Sequence, residues 1–401
     1  MRVHVIDPSA YTPPYDHALC RALARAGAQV ELYTSRFAYD AVAPAEGYAR
    51  RELFYKLAHR GAAAGPRSRV RLALKAAEHV PEMLRYRRLA RAADVAHFQW
   101  LTLQPLDVHL LPRRRAAAGG ARPKLVLTAH DVLPREPRPG QLAAQRRLYE
   151  RVDAVVVHSE HGRRRLTGEL GLAREHVHVI AHGVLRPWEG LAGAAGEAPQ
   201  GRAALPPEFG EVEGPVVLFL GLLRPYKGLD VLLEAWQTTA DREGGAGMRG
   251  AELWIVGMPR MELDSLRTAA RAAERAGAGR VRLLPRFVSG VETGAFMRRA
   301  SLVVLPYREI DQSGVLFTAL GAGKPLLLSD AGGFPEVAAT GAARTVRAGD
   351  PAALAAALAE LLGDDRALAE MARRARDAVA GPYSWEAIAR AHLELYERLL
   401  V

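Results

Sequence analysis

The strongest constraint on this chain is an alternation that runs along most of it. Short runs that are almost wholly apolar recur, each followed by a loop and then an amphipathic stretch. In the first half they lie at 3–6, 30–34, 95–100, 124–129, 154–159 and 177–182. In the second half they lie at 216–221, 253–257, 281–285, 302–306 and 325–330. A strand that is apolar throughout must be covered on both faces, which is the situation of parallel strands flanked by crossover helices. The expected class is α/β, with doubly wound, Rossmann-like sheets.

At 401 residues the chain is too long for one ordinary core. Residues 185–213 are rich in Gly, Pro and Ala and carry no periodicity, so they read as a linker. This gives a first domain over 1–184 and a second over 214–383, with an amphipathic helix over 384–401 whose start is marked by Ser384 and Glu386. Two such domains facing each other leave a central cleft at the carboxyl ends of their strands, where open α/β sheets bind ligands. The residues just after the strands are therefore the ones to read.

After 216–221 comes Leu222-Leu-Arg-Pro-Tyr-Lys-Gly228, in which Arg224 offers a planar fork and Lys227 a point charge to a diphosphate. After 302–306 comes a Ser313-Gly314-Val315 helix start with no acid in its first turn, which suits an anion because the first amides of a helix are unpaired and its dipole end is positive. Gly332-Gly-Phe-Pro-Glu336 is a third such turn. His130 and Asp131 follow the run at 124–129; a histidine there serves a site or is simply structural. His158 and His182 end two other runs.

The rest of the sequence mainly excludes. A single cysteine, Cys20, rules out a disulfide framework and reads as a small core residue. The first ten residues read as a strand, not a leader, and no apolar run approaches the ~18 residues of a membrane span. A cytoplasmic protein is expected. The formal net charge of +11 points to anionic partners, but aromatic residues are 6% and no nucleic-acid module is recognisable, so nucleic acid is not expected. The basic segment 59–91, interleaved with Leu, Val and Ala, reads either as a solvated helix face or as a peripheral contact with an anionic membrane surface. No D-x-D or His/Cys spacing suggests a metal, and no cofactor is expected.

Together "LTAHD", "VDAVVVHSE", "VHVIAHGV", "FLGLLRPYKGLDVLLEAW" and "VVLPYREIDQSGVLFTALGAGKPLLLSDAGGFPEV" resemble the retaining glycosyltransferases of GT-B fold, most like family 4. The resemblance implies a metal-independent hexosyltransferase that uses a UDP- or GDP-linked sugar. It implies that Arg224 and Lys227 grip the diphosphate beside Gly221, with His130 near the anomeric carbon. The family's two glutamates, with seven residues between them, fall here on Ile310 and Thr318, so Glu309 or Asp311 would meet the sugar and Thr318 the ribose. Ser313, Gly314 and Val315 would hold phosphate through their amides, and the stretch at Arg286 and Val288 would meet the base. The family's N-terminal Gly-Gly loop is replaced by residues 7–15, where Ser9 and Ala10 are small and Ser9, Tyr11, Thr12 and Tyr15 would shape the acceptor side. The terminal helix would pack back on the first domain. The acceptor, lipid-linked or a small-molecule or glycan hydroxyl, leaves no signature. The competing readings are a catalytically weak sugar-nucleotide-binding protein and a nucleotide-sugar epimerase of the same fold.

Overall fold

A computed structural model describes residues 1–60, 69–112, 123–134, 139–189, 205–210, 212–239 and 250–401. The chain divides into two compact units, Met1–Gly183 with Trp385–Val401, and Val184–Ser384.

The first unit is built on a seven-stranded, all-parallel sheet: β1 (Arg2–Asp7), β2 (Gln29–Ser35), β3 (Ala49–Phe54), β4 (Val95–Phe98), β5 (Lys124–Thr128), β6 (Ala154–Val157) and β7 (Val177–Val179), in the order β3-β2-β1-β4-β5-β6-β7. Helices α1 (Pro13–Arg25), α2 (Lys56–Arg60), α3 (Arg69–Leu89), α4 (Gln104–Leu110), α5 (Gln141–Arg151) and α6 (Glu160–Glu169) connect them. Every residue of β4 and β6 is buried, as strands covered on both faces require.

The second unit repeats the logic with six parallel strands: β8 (Val216–Leu220), β9 (Glu252–Val256), β10 (Arg280–Leu284), β11 (Leu302–Leu305), β12 (Leu326–Ser329) and β13 (Ala343–Val346), in the order β10-β9-β8-β11-β12-β13. Its helices are α7 (Leu229–Thr238), α8 (Asp264–Arg275), α9 (Gly290–Arg299), α10 (Gly314–Gly321), α11 (Phe334–Ala338), α12 (Pro351–Leu362) and α13 (Asp365–Ala380). The last helix, α14 (Trp385–Leu400), belongs to the first unit. It is fixed there by Tyr396, whose hydroxyl lies 2.6 Å from Nδ1 of the fully buried His97, while His97 Nε2 meets the Thr128 hydroxyl at 2.7 Å. A buried polar chain of this kind specifies one docking position, since any shift leaves its members unpaired.

Two strands escaped the sequence reading, and both are sheet edges. β3 (ARRELF) and β13 (ARTV) are partly exposed along much of their length, so they lack the apolar run that marked the others. The stretch assigned as a linker also differs from expectation. Its described ends are built into the second unit: the Leu185 amide donates to the Phe317 carbonyl at 3.2 Å, and Phe209 is buried edge-on against Trp254 at 4.8 Å. Aromatic burial therefore outweighs the loop-like composition around it. Residues 190–204 and 211 of that stretch, and 61–68 of the basic segment, lie outside the described residues. Cys20 is buried in α1, where burial pushes its thiol well above the ordinary range. Among the described residues no helix is long and apolar enough to cross a membrane.

Leu218 sits at the middle of β8 with no exposed surface. Leu218→Ala is expected to destabilise the second unit by about 3–5 kcal/mol through lost transfer energy and a residual cavity, read as a lower urea midpoint for that unit. An unchanged midpoint would mean that β8 is not central to its core.

Candidate functional site

In the second unit three loops meet at the carboxyl edge of the sheet, after β8, β11 and β12. The first holds Lys227 in a short 3₁₀ turn, Pro225–Lys227. Lys227 is 7% exposed; its Nζ donates to the Tyr307 hydroxyl at 3.0 Å and lies 4.7 Å from the Tyr307 ring centroid. Tyr307 is held in turn by Ser329 at the end of β12, whose hydroxyl donates to the Tyr307 carbonyl at 2.6 Å. One side chain thus ties all three strand ends together.

Gly221 sets how close these loops come. Its φ is +124°, and a Cβ added there would stand 3.0 Å from Val315 Cγ2 and 3.1 Å from Lys227 Nζ. The lysine and the first turn of α10 therefore flank the same glycine. α10 carries no acid in its first turn, its cap Ser313 makes no side-chain capping bond, and Gly314 is exposed. Its amino end is available to an anion, with a buried ammonium beside it. Arg224 opens the same turn in extended conformation, with its Nε buried and unpartnered among the described residues.

The other second-unit residues fall as follows. Ile310 is buried, with Asp311 buried and Glu309 exposed beside it. The Thr318 hydroxyl donates to the Gly314 carbonyl at 2.8 Å, so it retains only acceptor capacity for a ligand. Arg286 is paired through its side chain with Glu292 at 2.7 Å, and its own amide bonds the Leu284 carbonyl at 3.0 Å; Val288 is half-buried just before the capping box of α9.

In the first unit the loop after β1 wraps around Asp7. The buried Asp7 carboxylate accepts from the amides of Ser9 (3.2 Å), Tyr11 (2.6 Å) and Thr12 (3.3 Å). It also accepts from Asp16, whose proton is retained because burial and the Asp7 charge both push that carboxyl well up. Asp7, with several donors, is the charged member. Ala10 in this loop adopts φ +49°, a left-handed conformation that favours glycine and costs alanine about 1 kcal/mol. The chain therefore keeps a glycine-like backbone without the glycine. Ser9 Oγ lies 2.9 Å from Thr102 Oγ1, Tyr11 stacks on Trp100 at 4.9 Å with 61% of its surface exposed, and the Thr12 hydroxyl accepts from the Trp100 indole at 3.1 Å.

Tyr15 does not belong with these. It is wholly buried on α1, and its hydroxyl has no hydrogen-bond partner among the described residues. Its ring packs on His130 (4.9 Å), His182 (4.8 Å) and Trp385 (5.2 Å). It supports the site from beneath instead of lining the acceptor side.

The histidines around it are the main feature that sequence reading left disconnected. His130, His158 and His182 close β5, β6 and β7, three neighbouring strands, and a nitrogen from each lies within 4.8 Å of the others. They lie 28 and 24 residues apart, so no motif spacing exposes them. The sequence shows no His/Cys metal spacing, and the three rings meet only through the order of their strands.

Their tautomers follow from the bonds. His158 Nδ1–H donates to the Ile180 carbonyl at 3.0 Å, which leaves Nε2 to accept from His130 Nδ1–H at 3.2 Å. His130 Nε2 then faces the Gln99 side-chain amide at 3.1 Å, and turning that amide so that its otherwise unpartnered nitrogen donates completes the chain. His182 Nδ1–H donates to the Gly183 carbonyl at 2.7 Å. Both nitrogens of His130 are engaged inside the protein, and its ring lies flat on Trp100 at 4.9 Å. A general acid or base needs a nitrogen free to reach its proton. His130 is thus held as an oriented, neutral ring.

Burial lowers the affinity of all three rings for a second proton, taking His158 to about 4, and the buried His97 and His392 behave alike. A histidine whose folded pKa lies below its ordinary 6.5 stabilises the fold fully above that value and loses the contribution as pH falls toward the folded pKa. The first unit is therefore expected to lose stability between about pH 6.5 and pH 4, at up to ~1.4 kcal/mol per pH unit for each histidine. Urea unfolding at several pH values tests this, and His182→Gln should flatten the slope. A pH-independent midpoint across that window would contradict the neutral assignment.

Residues 15–184 match the family described as Glycosyltransferase Family 4, and residues 214–364 the family described as Glycosyl transferases group 1. The chain is 31% identical over 267 residues to a D-inositol 3-phosphate glycosyltransferase of Nocardia farcinica, covering 64% of this chain and 55% of that protein. It is 35% identical over 190 residues to a phosphatidyl-myo-inositol mannosyltransferase of Mycolicibacterium smegmatis, covering 46% and 45%. These alignments thus span about half the length of the curated relatives. Among solved structures, the sucrose-phosphate synthase of Thermosynechococcus elongatus superposes with a TM-score of 0.67 at 17% identity over 100% and 99% of the two chains. Anabaena Alr3699/HepE in complex with UDP gives 0.66 at 18% over 99% and 100%. With two parallel Rossmann-like sheets and matches in both halves, the chain has the GT-B fold and resembles the glycosyltransferases of family 4.

Proposed function

We propose that the protein transfers a hexosyl group from a nucleoside diphosphate sugar, UDP- or GDP-linked, to an acceptor hydroxyl with retention of anomeric configuration. The observation that carries this reading is buried Lys227 against Gly221 and the acid-free start of α10. Breaking the anomeric bond leaves negative charge on the departing diphosphate. Lys227, Arg224 and the amides of Ser313, Gly314 and Val315 are fixed positive groups at one place, and preorganised charge of this kind is usually the largest catalytic term. In this reading they do the work that a divalent cation would otherwise do. Glu309 or Asp311 meets the sugar and the stretch at Arg286 and Val288 meets the base.

Two further supports are chemical. HepE was crystallised with UDP and with UDP-glucose, and its fold is the fold found here. Curated relatives are named as glycosyl- and mannosyltransferases. The acceptor is assigned to the first unit, beside Ser9, Tyr11 and Thr12, with His130 positioned by Gln99, His158 and Trp100.

A second reading, a sugar-nucleotide-binding protein with little turnover, is favoured by Ile310 and Thr318, neither of which is acidic. The two readings separate in one experiment. Thermal shifts with UDP, GDP and their sugars should show one base raising the stability of the wild type, by about 2.7 kcal/mol at a hundred times Kd. Lys227→Ala should abolish the shift and lower kcat/KM by about 10²–10³. Gly221→Ala should act alike, because its Cβ would displace Lys227 and Val315. Donor binding without product, in a panel of acceptors followed by anomeric NMR, would select the binding-protein reading. No shift with any nucleotide would remove both.

A further inference from the structure

A second basic site lies in the first unit, and none of the three stacked histidines lines it. A pocket of about 70 Å³ is lined by Ser9, Arg36, Tyr39, His59, Arg71 and Lys75, among others, and no carboxylate is among its lining residues. Roughly 10–15 Å³ is needed per water, so it has room for about five, or for the oxygens of one tetrahedral oxyanion. Neither Arg36 nor Lys75 pairs with a carboxylate among the described residues.

The neutral member of the set is aimed as a donor. His59 Nδ1 accepts from the Arg71 guanidinium at 3.2 Å, which places the ring proton on Nε2, and that nitrogen is buried with no partner among the described residues. Burial, then Arg71, Lys75 and Arg36, hold His59 down to about 4, while Glu78 opposes them.

The lining lysine stands on a buried network. Lys75 Nζ stands 4.8 Å over the Tyr55 ring. The Tyr55 hydroxyl donates to His79 Nδ1 at 2.7 Å, and His79 Nε2–H donates to the fully buried Asp107 at 2.6 Å. Ser9, which lines the pocket, lies 2.9 Å by its Oγ from Thr102 Oγ1. Tyr55 itself adopts φ +58°, a conformation that a bulky residue keeps only where its surroundings enforce it. Ser9 therefore joins this pocket to the loop after β1.

We propose that the pocket formed by Arg36, His59, Arg71, Lys75 and Ser9 binds the phosphate group of a phosphorylated acceptor. Three cations and two neutral donors exceed what a carboxylate can satisfy, and two guanidinium forks match the oxygens of a phosphate. The acceptor role rests on the glycosyltransferase reading; phosphate binding does not. The phosphate comes from a soluble phosphomonoester or from a lipid headgroup, and the chemistry of the pocket is the same for both.

The test uses the full chain and titration calorimetry at constant ionic strength. The probes are inorganic phosphate, glycerol 3-phosphate, and phosphatidylcholine vesicles with and without phosphatidic acid. Wild type should bind at least one phosphate probe saturably. Lys75→Gln and Arg71→Gln should each weaken it by about tenfold or more, and the double variant should abolish it. Arg36→Gln, at an exposed position, should weaken it without altering the unliganded melting temperature. Binding of glycerol 3-phosphate assigns a soluble source; binding of phosphatidic acid vesicles alone assigns a lipid. Lys227→Ala should keep phosphate binding while losing the nucleotide. Saturable phosphate binding that the pocket variants lose supports the site even if no nucleotide binds. Nucleotide binding with no response to any phosphate probe, or a double variant that binds like wild type, overturns it.

Discussion

Burial of each central strand on both faces is the constraint from which the rest of the structure follows. β4, β6, β8, β9, β11 and β12 have no exposed residue. A polar group within such a strand has to find a partner inside the protein or be excluded, because an unpaired one costs several kcal/mol. His97, inside β4, shows the rule, since both its nitrogens are taken by Tyr396 and Thr128. Polar chemistry is therefore displaced to the carboxyl ends, where the chain leaves the sheet. Asp7, Gln99, His130, His158 and His182 in one unit, and Lys227, Tyr307 and Ser329 in the other, all occupy that edge or the loops just beyond it.

The two units use this edge for opposite electrostatic purposes. In the second, the groups collected are positive: a buried ammonium and the amino end of an acid-free helix. In the first, the loop after β1 is organised by a negative charge, Asp7, stabilised by three amides and the protonated Asp16. A buried carboxylate that accepts several hydrogen bonds makes a rigid loop at small size. That rigidity explains how Ala10 can be held at a positive φ and how Ser9 reaches Thr102.

Much of this was legible in the residues. The apolar runs located eleven of the strands, and the turns after 216–221 and 302–306 identified Lys227 and the start of α10. The edge strands were not legible, because a strand with one side open to water needs no apolar run. The histidine stack was not legible either. His130, His158 and His182 were each visible at the end of a strand, but their meeting depends on β5, β6 and β7 being neighbours in that order. Tyr15 carried no mark that it faces inward under those rings.

By itself the sequence determined the class of fold, the direction of the strands and which loops would carry charge, because apolar periodicity and turn chemistry are local properties of the chain. The tertiary structure alone decided which of those loops touch. It placed Val315 and Lys227 over Gly221, turned Thr318 toward the Gly314 carbonyl, engaged both nitrogens of His130, and gathered Arg36, His59, Arg71 and Lys75 around one small space. Partners of this kind are set by strand order and by the entry of each helix onto the sheet. These depend on contacts between residues far apart in the chain, which no local pattern records.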